Sequence, residues 1–551
     1  MVKKLSKRKR LLNIERRNLL KALLAASLTP LGTRIVRATS QSQEKFHPQT
    51  KLPSPKNWLP EPEIDPNPII QENQNPGTTD WELTNPATKR EIEGYASLTS
   101  VDRRHKISFY VNTKDPHYTL EIFRMGWYGG AGARRMTAAI ELPGIKQPPP
   151  LEHRSSGLVE CDWQESYILT IPSWTSGVYL AKLTTSQSGK QSYIIFVVRD
   201  DRRKSDFLFQ LSVTTYQAYN NWGHKSLYRW NSRRIQAYLV SFNRPYAKSP
   251  NSKAAYGVGA GEFLTNFQPP HRVSNAGWDY NMLRWLEREG YDVSYATNID
   301  THSNPELLWK HKAFLSVGHD EYWSAKMRDN VEKARNKGIS LGFFGANACF
   351  WQIRLDLSPF SKVPDRTIVA YKEYAALDPY RDRRRTTQWR NPPVNLPEDS
   401  LIGVMYTAFE VDADIVMDDP PDWMLAKTHL KSGSVLPGLL GYEVDRIYGN
   451  APDNIIRVAH SPYPDGDATK LQLSNSHRDS PVKNRTSYAD MTVYTAESGA
   501  IVFATGSMQW IWALDDYNAP QLRKSRLNED AQQVTRNVLR RMIERNINNS
   551  V

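Results

Sequence analysis

Beyond Asp201 short apolar strands alternate with amphipathic helices, and that alternation leaves few architectures open. Phe207, Phe209, Leu211 and Val213 read as a strand, Trp278 to Gly290 as a helix with Leu283 and Leu286 inward, and Tyr291 to Ala296 as the next strand. Ala313 to Val317 is a buried strand, Ser324 to Lys337 a helix with Met327, Val331 and Ala334 on one face, and Ile339 to Phe344 another strand. Repeated βα units of this kind build a mostly parallel sheet covered by helices. Strands near Ile455 to Val458 and Ile501 to Ala504, and a final helix carrying Val534, Val538, Leu539, Met542 and Ile543, extend the α/β domain over 201–548. Within it, about 379–441 reads as a proline-rich, irregular insertion.

Upstream the period changes to two. Ile107, Phe109 and Val111, then Leu120 and Ile122, then Val178 and Leu180, then the run Tyr193 to Val198 predict an all-β, immunoglobulin-like β-sandwich over 91–200. Residues 39–90 are proline-rich without apolar period and predict an extended segment or linker.

The 551 residues carry a formal net charge of +14, which suggests a polyanionic partner until the charge is located. The first 37 residues hold eleven Lys/Arg against Glu15 alone, and the rest holds 61 bases against 57 acids. The excess is therefore N-terminal, and nucleic acid is not an expected partner. Residues 1–38 have a basic start, a short apolar run from Leu19 to Leu28 broken by Lys21, and a small-residue exit at Ala38, the layout of an export signal. Glu15-Arg16-Arg17-Asn18-Leu19-Leu20-Lys21 resembles the twin-arginine motif, so a periplasmic or secreted protein is expected. No other segment is apolar enough for a stable membrane span. Two cysteines, Cys161 and Cys349, supply neither a disulfide framework nor a cysteine-based zinc site.

In a parallel sheet a ligand site lies beyond the carboxyl ends of the strands. Three polar-aromatic segments fall there: Thr214 to Gly223, Gly318 to Ser324, and Phe344 to Trp351. His319, Asp320 and Glu321, directly after a buried strand, are costly to desolvate unless they bind something. Each has an ordinary reading as well. Asp320 and Glu321 could cap the helix beginning near Ser324, His319 could be a satisfied core histidine, and Asn347 could stabilise a turn. Trp222 and Trp351 read as core or interface aromatics, and Cys349 as a buried inert thiol.

The motifs Phe123-Arg124-Met125-Gly126-Trp127-Tyr128-Gly129-Gly130, Thr215-Tyr216-Gln217-Ala218-Tyr219-Asn220, Ser241-Phe242-Asn243-Arg244-Pro245-Tyr246 and Gly318-His319-Asp320-Glu321-Tyr322-Trp323 together resemble the large-subunit family of N,N-dimethylformamidase. The resemblance implies a glutamine-amidotransferase-like α/β core and a mononuclear iron, Fe3+, held by two tyrosines and one glutamate. Carried over by motif, the metal ligands fall on Glu321, Tyr219 and Tyr246, with Tyr216, Tyr256 and Tyr280 as alternatives for the tyrosines. His319 and Asn347 become the catalytic residues. Phenolate and carboxylate are hard oxygen donors that suit such an ion.

The expected function is an exported, metal-dependent amidohydrolase acting on a small amide or related C–N bond. The competing reading is a non-catalytic extracytoplasmic protein binding a glycan or envelope partner through aromatic clusters such as Gly126 to Gly130. A homo-oligomer is compatible with either. The family's founding enzyme works with a separate small subunit, which nothing in this sequence supplies.

Overall fold

The computed structural model describes residues 67–267, 275–464 and 486–544, all within the compact unit Glu63–Val551. The expected signal peptide and the proline-rich residues up to 66 lie outside the described residues.

The linker expectation fails from Asn67 onward. Pro68–Asn73 forms a helix, α1, with proline at its first position and the Asn67 side chain accepting the Ile69 N–H. Ile69, Trp81 and Leu83 are buried, and the Trp81 indole donates to the Ala131 carbonyl at 3.0 Å. Single anchors without a period leave no pattern in a proline-rich stretch, so the sequence hides them.

Within residues 92–199 two sheets pack around a common core, and Leu151–His153 pairs with Leu158–Glu160 as a separate two-stranded sheet. Lys106–Thr113 lies between Ile92–Ala96 and Tyr167–Thr170 in one sheet. The other runs Ser100–Asp102, Gln191–Arg199, Gly177–Thr185, His117–Met125, Ala133–Arg135. Along Lys106–Thr113 the residues Ile107, Phe109 and Val111 are fully buried and alternate with more exposed neighbours, as period two requires.

The α/β part is built on β1 (Phe207–Leu211), helix α2 (Val213–Tyr219), α3 (Asp279–Arg288), β2 (Val293–Thr297), β3 (Ala313–Gly318), α4 (Ala325–Asn336) and β4 (Ser340–Gly345). It continues with β5 (Met405–Val416), β6 (Val435–Arg446), β7 (Ile456–Pro464), β8 (Thr486–Thr495), β9 (Ile501–Ala504) and α5 (Glu529–Ile543). The main sheet has the order β2-β1-β3-β4-β9-β8-β7. Its first five strands are parallel and the last two are antiparallel additions, giving a mixed α/β plus β fold.

The insertion expected to be irregular holds regular structure: β5 and β6 are twelve residues each and pair as an antiparallel ribbon. Register shifts at Tyr406/Ala408, Phe409/Val411 and Ala413/Ile415 break the alternation every few residues, so no period-two signal survives in the sequence.

The sandwich is joined to α3 by a buried ion pair. Arg124 reaches Glu287 through Nη2 at 2.8 Å and Nη1 at 3.0 Å, with both side chains fully buried. Tyr128 Oη accepts from Arg124 at 2.9 Å and donates to Glu72 on α1 at 2.9 Å. A Cβ on Gly126 would stand 2.4 Å from Glu287 Oε2, so glycine is required where that carboxylate passes. The Phe123 to Gly130 motif thus has a structural task.

Candidate functional site

The site gathers at the carboxyl ends of β1, β3 and β4. Strand β1 runs through Ser212 into α2, all seven residues of which are buried. Tyr219, at the last turn of α2, donates its phenol to Glu321 Oε2 at 3.0 Å. After β3 the chain turns at Gly318, in the left-handed region at φ 66°. A side chain there would meet Asp279 at 3.0 Å, so glycine lets β3 end against the start of α3.

The three titratable residues that follow separate by task. Asp320 is a structural carboxylate, accepting from Gln210 at 2.7 Å, Ser316 at 2.8 Å and Asn298 at 2.9 Å. It does not cap α4, whose cap is Ser324 Oγ on the Met327 N–H. Glu321 is fixed by its backbone. Its N–H donates to Thr215 Oγ1 at 3.0 Å, and its carbonyl accepts from Phe350 and Trp351, both at 2.9 Å.

Sequence reasoning missed the second tyrosine on this carboxylate. It is Tyr228, whose Oη lies 3.0 Å and 2.9 Å from the two Glu321 oxygens and whose ring stacks on Tyr219 at 4.2 Å. Tyr246 is not brought there. It lies edge-on to Tyr216 at 6.4 Å and lines a cleft between sandwich and α/β part, with Trp222 and Arg90. Of the alternatives, Tyr256 donates to Asn518 and Tyr280 to the Gly132 carbonyl. Burial raises the phenols of Tyr219 and Tyr228 well above their ordinary value, and the Glu321 charge raises them further, so both are protonated donors.

His319 Nε2 stands 3.2 Å from Glu321 Oε2 and 3.1 Å from Glu443 Oε2. Burial opposes its charge, but Glu443 first and Glu321 next outweigh it and raise the imidazole well above its ordinary value. Burial alone would raise Glu321, yet the His319 contact holds it below the usual carboxylate range. Glu443 sits on β6, as does Asp445 two residues on, which accepts the Asn347 N–H at 2.9 Å. Burial pushes Asp445 up to about 7.

Asn347 lies just past β4 at φ 57°, and its buried Oδ1 has no hydrogen-bond partner. An acceptor left open in a buried side chain is uncommon. Cys349 is fully buried, with burial raising its thiol, which fits the inert reading. Trp222 is likewise internal, donating to Glu93 at 2.7 Å, and Trp351 packs edge-on to Phe350 at 4.9 Å.

Two more groups escaped the sequence. Lys372 is buried, its Nζ 3.3 Å from the Tyr228 ring centroid and 3.0 Å from Tyr322 Oη, which lies 2.5 Å from Tyr228 Oη. Glu262 is pushed up to about 7, by burial first and against the charge of His319. One of its oxygens accepts the Phe267 N–H at 2.8 Å and the other has no partner.

Among the described residues no three His, Cys, Asp or Glu side chains are arranged to hold a metal ion. The convergent oxygens of Tyr219, Tyr228 and Glu321 are a different donor set.

This chain belongs to the family described as N,N-dimethylformamidase beta subunit-like, C-terminal, whose profile matches residues 119–523. It is 22% identical over 429 residues to the N,N-dimethylformamidase beta subunit of Alcaligenes sp, a match covering 68% of this chain and 55% of that protein. It is 22% identical over 435 residues to the protein of the same name from Paracoccus aminophilus, covering 69% and 54%. The chain therefore spans about half the length of the curated relatives it matches. Among solved structures, the mmIFT52 N-terminal domain is 12% identical at a TM-score of 0.23, over 46% of this chain and 86% of that one.

Proposed function

We propose that this chain is an exported hydrolase of a C–N bond in a small amide, working through a mononuclear iron held by Tyr219, Tyr228 and Glu321. The observation that carries the reading is the histidine placed between two carboxylates beside two convergent phenols. Three hard oxygen donors in a buried site fit a ferric ion, with the phenol protons standing where the cation would bind. Such an ion supplies Lewis acidity toward an amide carbonyl.

The remaining steps fall to this chain's own groups. Hydrolysis adds one water across the C–N bond: its oxygen goes to the carbonyl carbon, His319 can pass its Nε2 proton to the departing nitrogen and regain one from the water, and Glu443 offsets the charge that His319 carries. The open Asn347 amide can accept or orient a group of the substrate. His319, Glu321, Glu443 and Asn347 are all buried, which keeps bulk water from them.

The twin-arginine-like start supports export to the periplasm or beyond, because that route carries proteins already folded. The strand order is compatible with an immunoglobulin-like sandwich followed by a glutamine-amidotransferase-like core. The relatives' designation as beta subunits supports assembly with a separate, smaller chain. The glycan reading loses much of its motivation, since Trp127 lies beneath Arg284 and Arg288 and Trp222 is internal.

The test is iron analysis and amine release from formamides and small amides by purified protein. About one iron per chain and turnover of at least one amide, both lost in Glu321→Ala, are expected. An iron-free wild type from an iron-replete host would refute the metal assignment, and an iron-loaded but inert one the hydrolytic assignment.

A further inference from the structure

Two neighbouring loops roof the site, one running from Tyr228 to Tyr238 and one from Tyr371 to Arg385. Tyr238 stacks on Tyr371 at 5.1 Å, lies 5.9 Å from Tyr374 and accepts the Ala370 N–H on its carbonyl at 2.8 Å. On their inner side the loops carry Tyr228 and Lys372. On their outer side they expose large apolar groups, Ile235 at 61%, Trp230 at 49%, Tyr374 at 39% and Leu377 at 37%. Isolated exposed apolar residues need no explanation, but four on adjoining loops do.

The same loops expose Arg229, Arg233, Arg234, Arg381, Arg383 and Arg384 against only Glu373 and Asp382. Among the described residues, Arg384 alone of the six forms an ion pair, with Asp382. Residues 38–551 hold 61 bases and 57 acids, so this face carries as much net positive charge as the whole body of the protein. No lysine is among the exposed bases, and arginine is the side chain whose planar fork engages phosphate oxygens in pairs.

We infer that this face is a docking surface for an anionic phospholipid membrane, with the arginines on headgroup phosphates and Trp230, Ile235, Tyr374 and Leu377 in the headgroup–acyl boundary. Tryptophan and tyrosine favour that boundary, each basic group near an anionic surface adds to the attraction, and apolar area adds a salt-insensitive part. A second copy of the chain on this face would set arginines against arginines. A nucleic acid would use the arginines and stack on the aromatics, but it gives Ile235 and Leu377 no partner. The inference is independent of the hydrolytic reading.

Co-sedimentation of the full-length, signal-processed protein with vesicles tests it. Vesicles of phosphatidylcholine with phosphatidylglycerol should bind the protein, and phosphatidylcholine alone should not. Arg233→Glu with Arg234→Glu should weaken binding by at least about tenfold. Ile235→Ser with Leu377→Ser, both exposed and tolerable to the fold, should weaken it at equal charge. Circular dichroism of each variant establishes that it is folded. Absence of binding to the anionic vesicles would overturn the inference. So would equal binding to both vesicle types, or an unchanged Ile235→Ser/Leu377→Ser variant that also binds a single-stranded oligonucleotide as tightly as vesicles.

Discussion

The Tyr228 phenol oxygen lies 3.0 Å and 2.9 Å from the two oxygens of Glu321, 93 residues along the chain. Tyr246 makes no such approach and packs on Tyr216 instead. Tyr228→Phe is therefore expected to lower bound iron sharply and Tyr246→Phe to leave it near the wild-type level, read by metal analysis of the purified proteins. The reverse pattern would return the second tyrosine to position 246.

Glu443 touches His319 at 3.1 Å and stands outside the proposed donor set. Glu443→Gln should lower kcat by about 10²–10⁴-fold, the usual reach of a positioned proton-transfer group. Iron content should be retained. A variant that loses iron as well would make Glu443 a ligand.

Stability should fall as pH rises through neutrality. Unfolded Glu262 titrates near 4.5 and the folded residue at about 7, so the folded protein keeps a proton that the unfolded chain has released. The stabilisation is full below pH 4.5 and is lost as pH climbs through 7; Asp445, moved from 3.8 to about 7, acts in the same direction. Glu262 contributes at most on the order of 3 kcal/mol and Asp445 at most on the order of 4 kcal/mol. Urea midpoints at pH 5 and pH 8 measure the loss, and Glu262→Gln should reduce the difference. An unaltered difference in that variant would assign the dependence elsewhere.

Removing one member of the Arg124–Glu287 pair leaves the other charge buried. Arg124→Met or Glu287→Gln should cost about 3–5 kcal/mol. Gly126→Ala, which drives a methyl group into Glu287, should also lower the thermal midpoint. A midpoint unchanged in all three would mean that the sandwich is held by its apolar contacts alone.

Strand β3 and helix α4 could be read from the sequence because their periods are clean and their ends carry glycine and serine signals. His319 and Glu321 were found because charge directly after a buried strand is anomalous. Glu443 was hidden because β6 lies in a ribbon whose bulges erase the alternation. Tyr228 and Lys372 sit in loops, where no period marks a side chain that turns inward, and only the folded chain shows that Tyr228 meets Glu321 and Lys372 meets Tyr228. Tyr246 was drawn in by a motif that serves the wall of a different cleft.

Glu443 arrives on a ribbon that the ribosome completes long after His319 and Glu321. Tyr219, Tyr228 and Glu321 are therefore all synthesised while the histidine still lacks its second acid. A chain stopped before β6 would contain Tyr219, Tyr228, His319 and Glu321 and lack Glu443.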